Sequence, residues 1–238
     1  MISVFCTRIL PQEEQAKARQ SGVHIACQPF IEIRPCNEKN SHPELLSALH
    51  HRDLTLLFTS KNAVHIAFTH YLQKIPEHIR SSWQYYCLSG ATQTALTAYC
   101  SPGQILASAP HARALTELID QPPLTEPLHF FSGHRRKDTL PDFLSRQGYR
   151  FKEWVVYQTT LTPQVVNVPY DGYLFYSPSA AESFFSVNSL PENCPCFAIG
   201  PSTAATLHQL FSGPVYESSY PDTDHLLTLI QHHLSPNR

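Results

Sequence analysis

The sequence predicts an α/β protein of two similar flavodoxin-like domains with parallel sheets, one inserted in the other and joined to it by a two-strand linker. Short apolar runs alternate with helical patterns along the chain, which is typical of parallel sheets whose strands are connected by helices. The same strand–turn–helix landmarks occur twice, and such repetition indicates duplicated units. Hydrophobic residues make up 42% of the 238 residues, which is enough for two cores of modest size.

The repeat is clearest at the turns that follow predicted strands. Thr92 precedes Pro110 by 18 residues, and Thr203 precedes Pro221 by the same interval. Equal intervals with matching flanks favour a duplication over two generic strand–helix repeats in one large sheet, which is the alternative interpretation. The aligned segments are residues 57–64 with 175–180, 88–96 with 199–207, and 109–115 with 220–226.

A fourth pair of segments predicts the order of the two copies. Residues 4–8, followed by Gly22, resemble residues 130–134, followed by Gly148. One copy therefore starts near residue 128 and has its second half earlier in the chain, whereas the other starts near residue 1 and is completed only after residue 171. An inserted domain produces this order. We predict that domain 1 consists of residues 1–34 and 164–238, and domain 2 of residues 35–163.

Each strand is predicted from a short apolar run that ends at a turn. Residues 30–35 alternate apolar and polar side chains between Pro29 and Pro35, so we predict a strand that crosses between the domains. The later part of residues 151–159 is predicted as the return crossing. The other predicted strands are residues 2–6, 23–30, 54–58, 85–88, 105–107, 128–131, 173–176 and 197–199.

Helices are predicted where apolar residues recur at helical spacing and where a glycine such as Gly22 or Gly148 follows. Ser179 and Glu182 match the Ser-x-x-Glu capping box, which predicts a helix start at Ser179, and Ser41 is predicted to cap another helix. The predicted helices are residues 12–20, 44–50, 63–72, 92–99, 112–119, 140–147, 204–210, 223–234 and the segment after Ser179; residues 121–123 and 163–169 are predicted as connections.

Composition restricts the classes of function. The net charge is −2 and only 15% of residues are charged, so the chain lacks the basic footprint of nucleic-acid binding. The sequence contains neither a secretory signal pattern nor an apolar run of membrane-spanning length, and we therefore expect a cytoplasmic protein without a membrane partner. The seven cysteines are expected to be reduced, and their spacing matches no usual zinc motif.

Two turns in the last third of the sequence predict an anion site. Residues 173–176 and residues 197–199 each lead directly into a helix start. The N–H groups of a helix start carry positive partial charge and bind carboxylate or phosphate. Ligands of parallel sheets lie outside the carboxyl ends of the strands, so we expect the turns of both domains to face one cleft.

Several short motifs then occur in an order that is typical of one enzyme family. They are Leu-Phe-Thr-Ser-x-x-Ala-Val at residues 57–64, Val-Val-Tyr-Gln-Thr at 155–159, Tyr-Ser-Pro-Ser at 176–179, and Ala-Ile-Gly-Pro-x-Thr-Ala at 198–204, with Thr7-Arg8 and Pro221-Asp222-Thr223 at the two ends. Together they resemble the uroporphyrinogen-III synthase family over essentially the whole chain. The chain departs from the family at Ser89, which aligns with Gly200. It also departs in the basic run at residues 134–138, where the alignment with the family can shift by a residue or two.

The resemblance implies two α/β domains that are joined by a two-strand ladder and hold the substrate in the cleft between them. It implies cyclisation of hydroxymethylbilane, a linear tetrapyrrole with eight carboxylates, to uroporphyrinogen III in heme and porphyrin biosynthesis, with loss of water and inversion of ring D. It implies no metal or organic cofactor. We expect a monomer that meets hydroxymethylbilane synthase transiently. The alternative is a two-domain protein that binds an anion or a tetrapyrrole without catalysis.

A substrate with many carboxylates needs donors at several places, and the predicted helix starts supply them. Each hydroxyl can also be explained as a plain helix cap, and each cation as an exposed surface charge. Tyr157 is the candidate general acid for loss of the hydroxyl group, with packing at the linker as its alternative role. The candidate substrate-binding residues are Arg8, Ser60, Lys61, Thr92, Ser177, Ser179, Ser202 and Thr203.

Overall fold

The computed structural model describes residues 1–36, 42–119 and 128–234. The predicted cap at Ser41 and the predicted connection at residues 121–123 lie outside these ranges. The strands are β1 (Ile2–Cys6), β2 (Val23–Cys27), β3 (Ile31–Pro35), β4 (Thr55–Phe58), β5 (Gln84–Leu88), β6 (Ile105–Ala109), β7 (Leu128–Gly133), β8 (Phe151–Leu161), β9 (Gly172–Phe175), β10 (Cys196–Ala198) and β11 (Val215–Glu217). The α-helices are α1 (Gln12–Gln20), α2 (His42–Leu49), α3 (Lys61–His70), α4 (Glu77–Arg80), α5 (Ala91–Thr97), α6 (Ala112–Ile119), α7 (Thr139–Arg146), α8 (Pro178–Phe185), α9 (Pro201–Leu210) and α10 (Thr223–Leu234).

The chain divides into two compact units. Unit 1 consists of Met1–Glu32 and Thr160–Arg238, and unit 2 of Ile33–Thr159. The sheet of unit 1 has the order β11-β10-β9-β1-β2, and its pairs are parallel. When its strands are numbered from β1, the order across the sheet is 2-1-3-4-5, which is the flavodoxin-like arrangement.

The sheet of unit 2 has the order β3-β8-β7-β4-β5-β6. When its strands are numbered from β7, the pairs from β8 to β6, which are all parallel, give the same order of 2-1-3-4-5. The two units therefore share one strand order and differ in which of the equivalent strands comes first in the chain. The predicted α/β class with parallel sheets is confirmed. The chain passes from one unit to the other inside β3 and inside β8, which are neighbouring strands.

Alternation along the strands fills both faces of each sheet. In unit 1, Phe5 and Phe175 belong to one cluster of buried side chains, whereas their chain neighbours Cys6 and Leu174 belong to another. In unit 2, Phe58 and Leu57 are divided in the same way between two further clusters. Each unit thus has cores of its own on both sides of its sheet.

Several helices begin earlier than their apolar patterns indicate, whereas α1, α6 and α10 begin at the predicted residues. The pattern predicts starts at residues 63, 92 and 204, whereas α3, α5 and α9 begin at Lys61, Ala91 and Pro201. The first turn of these helices lies at the edge of the sheet, where its residues need no apolar side chains. Among the helices of the described ranges, none has the length and apolar character that crossing a bilayer requires.

Candidate functional site

The candidate functional residues of each unit lie at helix starts at the carboxyl ends of its strands. Ser177 follows β9 and is the N-cap of α8, and Gly200 follows β10 and is the N-cap of α9. In unit 2 the equivalent positions are Ser60, the N-cap of α3, and Gly90, the N-cap of α5. Each unit therefore has a serine cap after its third strand and a glycine cap after its fourth.

Both serine caps accept the hydrogen bond from a first-turn N–H group that is expected of an N-cap side chain. The Ser60 Oγ accepts a hydrogen bond from the Asn62 N–H at 3.2 Å, and the Ser177 Oγ accepts one from the Ala180 N–H at 3.2 Å. Ser179 is the second residue of α8, so the prediction of a capping box that starts there is wrong. Pro178 begins the helix instead, because proline needs no N–H partner in the first turn and its φ is already helical.

The two glycine caps correct one part of the sequence alignment. Gly90 has φ 72° and ψ −130°, a left-handed φ that favours glycine. Gly90, and not Ser89, takes the cap position that corresponds to Gly200. Behind these caps, Thr92 is the second residue of α5 and Thr203 the third residue of α9.

The hydroxyl residues behind the caps differ in exposure. Thr92 is 7% exposed and Thr203 is 3% exposed, and the Thr203 N–H already donates to the Gly200 carbonyl at 3.1 Å. Ser202, the second residue of α9, is half-buried. Of these three side chains, Ser202 is therefore the most accessible to a ligand.

Arg8, two residues after the end of β1, lies in a polar cluster of unit 1. Its guanidinium carbon is 3.6 Å from the ring centroid of Tyr176, and its Nη2 is 3.5 Å from a Glu14 carboxylate oxygen. Thr223 donates to the same Glu14 oxygen at 2.5 Å, and its Oγ1 is 2.9 Å from the Tyr176 hydroxyl. Burial raises the pKa of Tyr176 well above its ordinary value. The cluster holds Arg8 in one place, with its Nε buried and without a partner among the described residues.

The candidate acid and one candidate donor of unit 2 are in direct contact. The Tyr157 hydroxyl of β8 is 3.0 Å from the Ser60 Oγ, although the two residues are far apart in sequence. Burial raises the pKa of Tyr157, and the hydrogen bond with Ser60 opposes this rise. Lys61, which follows Ser60 in the sequence, is exposed and is the first residue of α3.

Sequence reasoning missed a half-buried ion pair in unit 2. The Arg136 Nε and Nη2 donate to the two carboxylate oxygens of Glu153, each at 2.8 Å, and the Ser132 Oγ donates to Glu153 at 2.5 Å. These contacts, with Arg136 foremost, lower the pKa of Glu153. Within the basic run of residues 134–138, Arg136 is thus committed to a carboxylate of its own unit. A carboxylate in the middle of a mostly apolar strand was the available sequence signal.

No group of three or more His, Cys, Asp or Glu side chains in the described parts of the chain is placed to hold a metal ion. Each unit has hydroxyl groups and helix-start N–H groups, to which unit 1 adds Arg8 and unit 2 adds Lys61 and the half-buried phenol of Tyr157. Such groups bind anions and transfer protons.

Comparison with known proteins gives the family. The family model described as uroporphyrinogen-III synthase HemD matches residues 12–228. This chain belongs to the uroporphyrinogen-III synthase family. The resemblance drawn from the sequence motifs is therefore confirmed. The protein is a lyase of porphyrin and heme biosynthesis that acts on a small tetrapyrrole.

Solved structures of uroporphyrinogen-III synthases share the fold. The synthetase of Helicobacter pylori 26695 is 19% identical, with a TM-score of 0.66 over 98% of this chain and 99% of that chain. A mutant synthase of the extremely thermophilic bacterium Thermus thermophilus is 16% identical, with a TM-score of 0.66 over 98% of each chain. At these identities the likeness establishes the architecture. The comparison with curated protein sequences found no match.

Proposed function

We propose that this uroporphyrinogen-III synthase cyclises hydroxymethylbilane to uroporphyrinogen III, with loss of water and inversion of ring D. The observation that carries the proposal is the same pair of turns, a serine cap and a glycine cap, at the carboxyl ends of equivalent strands in both units. Helix starts of this kind bind carboxylates. With a net charge of −2, the protein attracts an anion by such local donors and not by its overall field.

The proposed roles follow from accessibility. Among the predicted binding residues, Ser177 and Ser202 are half-buried at helix starts, Arg8 is held beside Tyr176, and Lys61 is exposed. We assign carboxylate binding to these four. Ser179 in the first turn of α8 also remains a candidate, whereas the burial of Thr92 and Thr203 favours roles in shaping the first turns of α5 and α9.

Tyr157 is the proposed general acid. The reaction begins when the hydroxyl group of the substrate leaves as water, which requires a proton at the oxygen as the carbon–oxygen bond breaks. The half-buried phenol of Tyr157, whose pKa is raised by desolvation, is protonated at neutral pH and can supply that proton. The remaining contribution of the protein is orientation of the chain for ring closure.

Tyr157→Phe tests the assignment. The variant should fold, because the ring stays in place, and should lose about 10²-fold or more in kcat. The measurement uses freshly made hydroxymethylbilane, with chromatographic separation of isomer III from isomer I. Turnover at the wild-type rate would remove Tyr157 from the mechanism. If the wild-type protein itself yields only isomer I, a binding function without catalysis becomes the better account.

We also propose that the protein is a cytoplasmic monomer that receives its substrate from hydroxymethylbilane synthase in a transient encounter. Free hydroxymethylbilane closes without inversion of ring D, so a short path between the two enzymes would protect the substrate. Sedimentation of the protein alone and with hydroxymethylbilane synthase checks both parts. A stable dimer would contradict the first.

A further inference from the structure

We propose that Gly133 and Ser60 are positioning residues for Tyr157: Gly133 leaves the space in which the phenol ring lies, and Ser60 holds its hydroxyl by a hydrogen bond. The consequence for catalysis rests on the proposed function of Tyr157. The positioning itself rests on the backbone and side-chain geometry of unit 2.

An irregularity between β7 and β8 turns Tyr157 toward the site. Ser132 pairs with Val155, but the next residue, Gly133, pairs with Tyr157, so Val156 is an extra residue on β8. Such a bulge breaks the alternation of side chains between the two faces. Val156 and Tyr157 consequently pack against the same buried cluster, which also contains side chains of α3. The bulge thus aims the phenol at the start of α3, where Ser60 lies.

Position 133 requires glycine because the ring of Tyr157 occupies the space of a side chain there, and not because the backbone conformation demands glycine. Its φ lies outside the left-handed region, so another residue could adopt the conformation. A Cβ at this position would, however, lie 2.3 Å from the Cζ of Tyr157 and 2.7 Å from its hydroxyl oxygen. These distances are far below contact distance, and both atoms are at the reactive end of the phenol. Any larger side chain must therefore displace the hydroxyl.

Ser60 fixes the direction of the hydroxyl. Its Oγ accepts the Asn62 N–H at 3.2 Å and lies 3.0 Å from the Tyr157 oxygen. With one lone pair used by Asn62, the Ser60 hydroxyl can donate its proton to Tyr157. The phenol proton then points away from Ser60 and is available to a leaving hydroxyl group. The same bond stabilises the phenolate once that proton has been given, in agreement with the downward effect of Ser60 on the pKa of Tyr157.

This arrangement changes the role assigned to Ser60. The sequence places it among the donors to a substrate carboxylate, whereas its hydroxyl in the structure is occupied by Asn62 and Tyr157. Ser60 therefore acts through Tyr157. Its partner at the equivalent position of unit 1, Ser177, accepts from Ala180 and keeps the role of a carboxylate donor.

The first test uses Gly133→Ala, with Gly103→Ala as the matched control. Gly103 also has an ordinary φ, but a Cβ there would meet no atom within 4 Å. We expect Gly133→Ala to lower kcat on the order of 10²-fold with little change in KM, because a displacement of about 1 Å in a catalytic group has such an effect. Gly103→Ala should behave as the wild type. In the Tyr157→Phe background, Gly133→Ala should cause no further loss. A wild-type kcat in Gly133→Ala would overturn the role of Gly133.

The second test compares Ser60→Ala with Ser60→Thr. The titration of Tyr157 is followed by tyrosinate absorbance, as the difference between each protein and the same protein with Tyr157→Phe. Ser60→Ala should raise the pKa of Tyr157 and lower kcat about tenfold, because it removes one hydrogen bond, whereas Ser60→Thr keeps the hydroxyl and should behave as the wild type in both measurements. An unchanged titration in Ser60→Ala would overturn the role of Ser60.

The two tests separate this proposal from the proposed function. If Tyr157→Phe retains full turnover, the general acid is wrong, and the titration in the Ser60 variants still decides whether Ser60 holds the phenol. If Gly133→Ala does not fold by circular dichroism, the Ser60 pair, which leaves the bulge intact, decides the outcome.

Discussion

Among single residues, His129 of β7 is buried in an unusual way. It is 2% exposed, and its Nδ1 accepts a hydrogen bond from the Trp154 Nε1 at 2.9 Å. Its Nε2 is buried and has no partner among the described residues. Burial, followed by the charges of Lys152 and His51, lowers the pKa of His129 from 6.5 to about 4. The folded protein therefore holds this imidazole neutral.

His129 should make the stability of the protein depend on pH. The unfolded chain protonates this residue below pH 6.5, whereas the folded protein does so only near pH 4. The contribution to stability is therefore complete above pH 6.5 and is lost as the pH falls toward 4. Between pH 7 and pH 5 the loss should be on the order of 2 kcal/mol.

Denaturant unfolding at several pH values measures this loss. His129→Gln keeps an acceptor for Trp154 but does not titrate, so its free energy of unfolding should fall less over the same interval. His24→Gln, at an exposed position of β2, is the control and should follow the wild type. Equal slopes for wild type and His129→Gln would contradict the prediction.

At the residue scale, the sequence identified candidate functional side chains, but it did not predict the contacts that these side chains make with each other. Tyr157 and Ser60 were both candidates, because both lie in family-like motifs, Tyr157 as a phenol that can donate a proton and Ser60 as a hydroxyl after a predicted strand. Their contact depends on the extra residue at Val156, which leaves no mark in a pattern of apolar residues. The pairing of Arg136 with Glu153 likewise depends on the shape of the turn after β7, so a run of four basic side chains could not show which one faces inward.

At the scale of elements, the strands were predicted closely except for β11, which was missed, whereas the starts of several helices, including α3, α8 and α9, were misplaced. A run such as Thr55–Phe58 is buried at every position, so its apolar character marks both ends of the strand. The first turn of α8 has no such requirement, and the wrong serine was therefore chosen as its cap. Ser177 and Ser179 are two residues apart, and both suit a helix start, but only the backbone shows which one carries the cap geometry.

A pair of substitutions distinguishes the two serines. Ser177→Ala removes the acceptor for the Ala180 N–H and should cost about 1 kcal/mol of stability. Ser179→Ala changes a residue inside the helix, where alanine is favourable, and should change stability by only a few tenths of a kcal/mol. Thermal or denaturant unfolding measures both. A loss in Ser179→Ala as large as that in Ser177→Ala would restore the capping box.

For the whole molecule, the main property is that each unit has its own buried clusters on both faces of its own sheet. The repeat in the sequence predicted two such units and the rotated order of one of them. It did so because the turns after equivalent strands need the same kinds of residue in both copies. The additional edge strand β3 could be anticipated only from its alternating pattern between two prolines.

Separate cores should give separate unfolding transitions. Leu56 in unit 2 and Leu174 in unit 1 are both fully buried, and replacing either by alanine should cost about 2–5 kcal/mol. In calorimetry, Leu56→Ala should lower the temperature of one transition and Leu174→Ala that of the other. If both variants lower one common transition, the units unfold together and the prediction is wrong.

The rotated strand order also determines the order in which the two units can fold during synthesis on the ribosome. All strands of unit 2 are made in one stretch, whereas β1 lacks its neighbour β9 until the whole of Ile33–Thr159 has been synthesised. At about 5–20 residues per second, that interval is on the order of 10 s. The inserted unit can therefore be fully synthesised and folded while β1 and β2 have only each other as partner strands. An unfinished chain that stops before β9 would carry an open sheet edge next to a finished globule, which makes it a substrate for chaperones.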